Sequence, residues 1–154
     1  MRLTVYSDYA LRVLMYLAVH ADPMPTIGEI ASSYGVSRNH LMKVVYELGV
    51  AGYIETVRGK KGGLRLARDP ADIGLGEIIR HTEPDLDLVP CFARRGADCC
   101  AITPVCSLKG ALHRARAAFM DVLDSYTLAD RVRNGPELKA LLVRGPASAE
   151  LEAL

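Results

Sequence analysis

Apolar residues share one helical face from Ser7 to His20, where Ala10, Leu11, Leu14, Leu17 and Ala18 follow the 3.6-residue period. Asp8 falls in the first turn of that segment, where a carboxylate suits the helix dipole. Asp22-Pro23 breaks the pattern. Thr26-Ile27-Gly28-Glu29 has the form of a capping box, so a short second helix is expected through Ile30 and Ala31 to Tyr34. Gly35 supplies a turn and Ser37 an N-cap for a third helix, with Leu41, Val44, Val45 and Leu48 on its buried face. Two short helices joined by a tight glycine turn make a helix-turn-helix.

The period then changes. Gly52 ends the third helix, and Tyr53–Val57 reads as a strand. Arg58-Gly59-Lys60-Lys61-Gly62-Gly63 reads as a flexible basic loop, and Leu64–Ala67 as the return strand. Three helices followed by a hairpin within the first 68 residues is the order of a winged-helix DNA-binding domain. Asp69-Pro70 marks its boundary, giving a first unit over residues 1–70. A short helix is expected over Leu75–His81, with Ile78 and Ile79 in the core.

Residues Glu83 to Cys106 have no period and read as a long loop, a feature usually functional in a compact domain. Beyond it lies the longest periodic run: Leu108, Ala111, Leu112, Ala115, Phe119, Val122, Leu123 and Tyr126. Little chain remains to cover this stripe, so a dimerisation helix is expected over about residues 104–130. The alternative is that the stripe packs on the chain's own first helix. Residues 71–133 thus form a second unit, with its loop at about 84–106. A tail follows at 134–154, with a short helix at Glu137–Val143 and poorly ordered final residues. The fold class is mainly α with a small β-hairpin wing: a winged helix-turn-helix plus a long dimerisation helix.

Charge sharpens this picture. The net charge of the 154 residues is only +1. Residues 1–68 nevertheless carry nine Lys/Arg against five Asp/Glu, and residues 69–154 carry ten against thirteen. A local basic face is what phosphate contacts need. In a helix-turn-helix the second helix enters the major groove by its N-terminal part. Ser37, Arg38, Asn39, His40 and Lys43 are therefore candidate DNA contacts, with Arg suited to guanine and Asn to adenine. Lys43 and Ser37 suit phosphates, and the wing's Arg58, Lys60 and Lys61 suit a neighbouring groove or backbone. The expected partner is double-stranded operator DNA.

The sequence starts without the basic-then-apolar pattern of a signal peptide, and no apolar run is long enough to span a bilayer. A soluble cytoplasmic protein is expected. Reducing conditions there disfavour disulfides, so Cys91, Cys99, Cys100 and Cys106, all within sixteen residues, need another explanation. Crowded thiolates select an iron–sulfur centre or zinc. A thiol switch and purely structural thiols remain open on spacing alone. His20, His40, His81 and His113 are scattered and offer no better metal site. No nucleophile–base pair, phosphate loop or acid pair points to an enzyme.

Several segments together resemble the Rrf-type winged-helix regulators: Leu3-Thr4, Asp8-Tyr9, Leu11-Arg12, Tyr34-Gly35-Val36-Ser37-Arg38-Asn39-His40, Ala51-Gly52-Tyr53, and Val57-Arg58-Gly59-Lys60 with Gly62-Gly63. Cys100-Ala101-Ile102-Thr103-Pro104-Val105-Cys106 and Tyr126-Thr127-Leu128-Ala129-Asp130 resemble the NsrR branch of nitric-oxide-sensing repressors. The resemblance covers about residues 1–131. It implies a homodimeric repressor whose [4Fe-4S] or [2Fe-2S] cluster is held by Cys91, Cys100 and Cys106. It also implies nitric oxide as the signal that modifies the cluster and releases DNA, with Asp8, from the partner subunit, as an oxygen ligand. The interval from Cys91 to Cys100 is longer than the family pattern and Cys99 is an additional thiol, so Cys99 is the alternative middle ligand. Other readings are a regulator of iron or iron–sulfur supply on the same scaffold, or a zinc- or thiol-based redox-responsive protein.

Overall fold

The computed structural model describes residues 2–92 and 100–144. Among these residues seven α-helices and one two-stranded antiparallel sheet follow in the order α1 (Val5–Val19), α2 (Ile27–Tyr34), α3 (Arg38–Val50), β1 (Ile54–Val57), β2 (Gly63–Leu66), α4 (Leu75–Thr82), α5 (Ser107–Asp124), α6 (Leu128–Arg131) and α7 (Gly135–Arg144). Mainly α with a β-hairpin wing is thus the architecture.

Local chemistry sets the boundaries. The Thr4 hydroxyl accepts from the Ser7 N–H and opens α1. Thr26 and Glu29 form both halves of the capping box that opens α2. Gly35 ends α2 at φ 62°, a left-handed conformation that admits glycine without cost. Ser37 occupies the N-cap of α3, but its side chain makes no capping hydrogen bond. The expected cap is therefore positional only, and the hydroxyl stays exposed on the surface.

The core forms where α1 crosses α3 and α4. Leu14, Ile30, Leu41, Leu48, Ile73, Ile78 and Leu128 are fully buried there. The expected inner face of α3 (Leu41, Val44, Val45, Leu48) is buried throughout, and so are Ile78 and Ile79 of α4. Truncating a residue such as Leu48 to alanine costs about 2–5 kcal/mol.

The hairpin pairs Ile54 with Leu66 and Val57 with Gly63. Its inner edge is tied to the segment before α2 by the Leu64 N–H, which donates to the Pro25 carbonyl at 2.8 Å. The wing is thus anchored close to its turn, where Leu64 pairs with Thr56, with its tip at residues 58–62.

The C-terminal third does not stay apart from this core. Leu128 donates its N–H to the Ile73 carbonyl at 2.8 Å, and Leu75 donates to the Tyr126 carbonyl at 3.0 Å. α7 packs against α1 and α2, burying Leu142. It begins two residues before the expected helix at Glu137–Val143 and extends one beyond it. The expectation for the last residues falls on 145–154, outside the described residues.

The long helix α5 is shorter than the 104–130 read from its period. Thr103–Val105 forms a separate 3₁₀ turn, and Thr127 with Asp130 makes a second capping box that starts α6 afresh. Only Met120 of α5 is buried. Leu108, Val122 and Tyr126 of the apolar stripe are exposed, while Leu112, Phe119 and Leu123 are half-buried.

Candidate nucleic-acid interface and cysteine loop

Packing of the inner face of α3 on the core turns its other side outward. Ser37, Arg38, Asn39, His40 and Lys43 are all exposed. Asn39 and Lys43 are one turn apart and share a face opposite Leu41, Val44 and Leu48. His40 lies at the edge, toward α1, where its ring faces Tyr9 with centroids 6.5 Å apart. Val5, Tyr6, Tyr9, Asn39, His40 and Lys43 border a cavity of about 510 Å³ at this seam. Burial raises the Tyr6 phenol pKa, with Glu47 adding to the effect, so the group stays neutral.

The wing presents Arg58, Lys60 and Lys61, all exposed. Gly59 at φ 113° shapes the tip, and Gly62 N–H closes the turn on the Gly59 carbonyl at 2.9 Å. A Cβ at position 62 would sit 2.2 Å from the Val57 carbonyl oxygen, so only glycine fits. Recognition helix and wing thus expose three Lys and two Arg from residues 38–61 that make no ion pair among the described residues.

The cysteine segment begins beside the same opening turn of α1. Glu83, directly after α4, sends Oε1 to the start of α1, where it accepts from Thr4 N–H at 2.8 Å, from the Thr4 hydroxyl at 3.1 Å and from the Ser7 hydroxyl. Asp8, the next residue, is half-exposed and pairs with Arg12 at 2.9 Å, one turn along. Beyond Glu83 the chain runs to a 3₁₀ turn at Pro90–Phe92 that carries Cys91, half-buried. The Phe92 ring stacks on His113 of α5 with centroids 4.0 Å apart, and the Arg116 guanidinium lies 5.0 Å over the same ring. Arg116 also pairs with Asp87 at 3.1 Å. This clasp holds the start of the loop to the body of α5.

The other end of the loop joins the beginning of the same helix. Cys100 is exposed, and its carbonyl accepts from Thr103 N–H at 3.0 Å. Cys106 is half-buried at the N-cap of α5. The helix dipole there favours an anionic ligand. Cys99 lies outside the described residues.

The donor chemistry suits an iron–sulfur group. Among the described residues three free thiols occur in one segment, and the Thr103 hydroxyl between Cys100 and Cys106 is buried without a hydrogen-bond partner, leaving a donor for a nearby sulfur. The three described thiols are not gathered into one metal-holding group in the single chain. Among the described residues no group of three or more His, Cys, Asp or Glu is placed to hold a metal ion, and Asp8 is not grouped with the cysteines.

Sequence reasoning missed Glu83, Phe92 and Arg116. Each acts through a contact distant in sequence, which no local period signals. A buried Ser7 in an otherwise apolar helix face was the available clue to a polar partner for α1.

Residues 3–134 match the family model described as Rrf2, iron-dependent transcriptional regulator. The chain is 50% identical to the HTH-type transcriptional regulator NsrR of Bacillus licheniformis over 92% of its own length and 99% of that protein's. It is 49% identical to NsrR of Bacillus subtilis over 92% and 97% of the two lengths. Among solved structures, T. potens IscR superposes with a TM-score of 0.71 at 28% identity, covering 90% of this chain and 91% of that one. The oxidized form of Staphylococcus aureus CymR gives 0.65 at 29% identity, covering 83% and 93%. No helix among the described residues is long and apolar enough to cross a membrane. The chain belongs to the Rrf2 family of transcriptional regulators and resembles its NsrR members.

Proposed function

We propose that this chain is a homodimeric repressor that binds operator DNA through α3 and the wing and senses nitric oxide through an iron–sulfur cluster. Cys91, Cys100 and Cys106 would hold that cluster, with Cys99 the alternative middle ligand and Asp8 of the partner subunit an oxygen ligand. The bound group would supply a labile iron to which nitric oxide can bind.

The observation that carries the reading is the contact of Glu83 with the first turn of α1. Thr4, Ser7 and Asp8 sit on one turn of a helix that also packs against α3. Glu83 leads directly into the segment that carries Cys91. A change in the cysteine segment therefore has a short path to the recognition helix. The exposed apolar positions of α5 support a second copy as the dimer partner. Half-sites of a dimer lie about one DNA turn apart, so a small change in the angle between two recognition helices spoils simultaneous docking. The state that binds operator must then be the one the ligand favours by differential binding energy.

The test is operator affinity of cluster-loaded, nitrosylated and apo protein at one salt concentration. Tight binding by the loaded protein alone is expected. Equal affinity in all three states would remove the switch, and tight binding by apo protein would make the cluster a derepressing cofactor.

A further inference from the structure

The recognition helix carries large apolar residues on its solvent face. Met42, Tyr46 and Val50 of α3 are 44%, 72% and 74% exposed. Asn39, Lys43, Tyr46 and Val50 stand at i, i+4, i+7 and i+11, so they form one stripe along the outer side of the helix. Met42 lies beside that stripe, one turn after Arg38. The core is fully served by Leu41, Val44, Val45 and Leu48 on the opposite side. Apolar groups in line with Asn39 and Lys43 are thus not spare core residues.

We propose that Met42 and Tyr46 contact the C5-methyl groups of thymines in the major groove, at base pairs next to those read by Arg38 and Asn39. The inference rests on the DNA-binding reading above and adds to it a specificity for A·T pairs. The thymine methyl is the one apolar feature a base pair offers in that groove, and apolar side chains are its complement. Charge selects DNA over another protein surface as the occupant. Arg38 and Lys43 flank the two residues on α3, and Arg58, Lys60 and Lys61 extend the basic surface onto the wing. A 1.5 Å rise per residue puts Met42 about 4.5 Å and Tyr46 about 10 Å beyond Asn39 along the helix, about one and three base-pair rises of 3.4 Å.

Uracil differs from thymine by that methyl alone. A duplex that the cluster-loaded protein enriches from a random pool is compared with copies in which single thymines are replaced by uracil, at one fixed salt concentration. The unmodified protein should bind about four-fold more weakly for each thymine methyl it touches that is removed, the value of one buried apolar carbon. Met42→Ala and Tyr46→Ala should each bind the thymine and uracil forms of one position equally, while keeping affinity for random duplex. Both side chains are exposed, so an unchanged circular dichroism melt is expected and separates readout from folding. Equal affinity of the unmodified protein for thymine and uracil at every position overturns the inference but leaves DNA binding intact. A uracil penalty that persists in both variants also overturns it. Failure to enrich any duplex overturns the DNA-binding reading itself. A fall in the protein's oligomeric mass on Met42→Ala or Tyr46→Ala would instead make this face a contact between copies.

Discussion

The Ser7 hydroxyl, fully buried in α1, donates to Glu83 Oε1 across 76 residues of sequence. The same oxygen accepts from Thr4 N–H and the Thr4 hydroxyl, so one carboxylate oxygen serves three donors at the opening turn of α1. Glu83→Ala would leave a buried hydroxyl and a helix-end N–H poorly satisfied, at a cost of about 1–3 kcal/mol. Glu83→Gln keeps an acceptor and should lose less. Urea unfolding of the two variants measures the difference. Equal stability of Glu83→Ala and the parent chain would mean that water replaces the carboxylate without penalty.

Gly63 opens β2 where no side chain fits. A Cβ there would lie 2.6 Å from the Met24 carbonyl oxygen and 2.8 Å from that of Pro25. Both obstacles are backbone, so Gly63→Ala must push the hairpin away from the segment before α2. The Leu64–Pro25 hydrogen bond at 2.8 Å is the first to suffer. The expected loss is about 1–3 kcal/mol, the usual scale of overpacking. If the wing lysines bind phosphate as proposed, a displaced wing should also weaken binding to operator and random DNA alike. Thermal melts and binding at fixed salt check the two effects separately.

Tyr53 links the base of the wing to α4. Its hydroxyl donates to Glu77 Oε1 at 3.0 Å, and Glu77 also receives Arg68 at 2.7 Å. Burial, followed by the hydrogen bond to Glu77, pushes the Tyr53 phenol pKa from 10.0 up to about 12. A folded-state pKa above the unfolded one contributes stability that is fully present below the unfolded value and is lost as pH rises through the folded one. The protein should therefore lose stability between pH 10 and 12. Tyr34, also pushed up to about 12 by burial, adds to the same limb. Tyr53→Phe should flatten the alkaline fall while costing about 0.5–1.5 kcal/mol at neutral pH for the missing hydrogen bond. Denaturant midpoints of the two proteins across this range decide; parallel curves would exclude Tyr53 as a titrating contributor.

Most of the fold was legible because its signals are local. The Thr26–Glu29 box, the inner face of α3, the alternation of the hairpin and Gly35 each act within a few residues. The order of elements then followed without any tertiary information. What the pattern missed is non-local. The helix at Glu137–Val143 was read within a tail, yet Leu142 joins the core through α1 and α2. Glu83 carried no period and no motif, and its role exists only because α4 delivers it to Thr4 and Ser7. On α3, apolar periodicity was assigned to the core, so Met42 and Tyr46 went unread among the exposed positions. The cysteines were legible as a group by spacing, but spacing does not gather the three described ones in space.

The ligand set has a direct test in four single variants. Cys91→Ala, Cys100→Ala and Cys106→Ala should each prevent stable assembly of an iron–sulfur cluster. Cys99→Ala should retain it. The reason is the spacing of Cys100 and Cys106, which matches the family pattern, while Cys91 is held through Phe92 on His113 and Arg116. Iron and sulfide analysis after anaerobic purification gives the answer. A cluster lost in Cys99→Ala and kept in Cys100→Ala would exchange the middle ligand.

The division of labour on the DNA-facing surface follows from where each side chain stands. Arg38 and Asn39 occupy the first turn of α3, the part of a recognition helix that meets base edges. Their alanine variants should lose discrimination between operator and random duplex, by about 1–3 kcal/mol for each bidentate pairing with a base. Lys60 and Lys61 stand at the wing tip, where glycines bring the backbone close to whatever it meets. Their alanine variants should weaken both duplexes together. For every phosphate no longer neutralised, the slope of log affinity against log salt should also fall by about 0.9. Titrations of operator and random DNA over a salt series separate the two roles. If Arg38→Ala weakens both duplexes equally and lowers the salt slope, Arg38 binds phosphate, and base readout on α3 must come from Asn39 and its neighbours along the stripe.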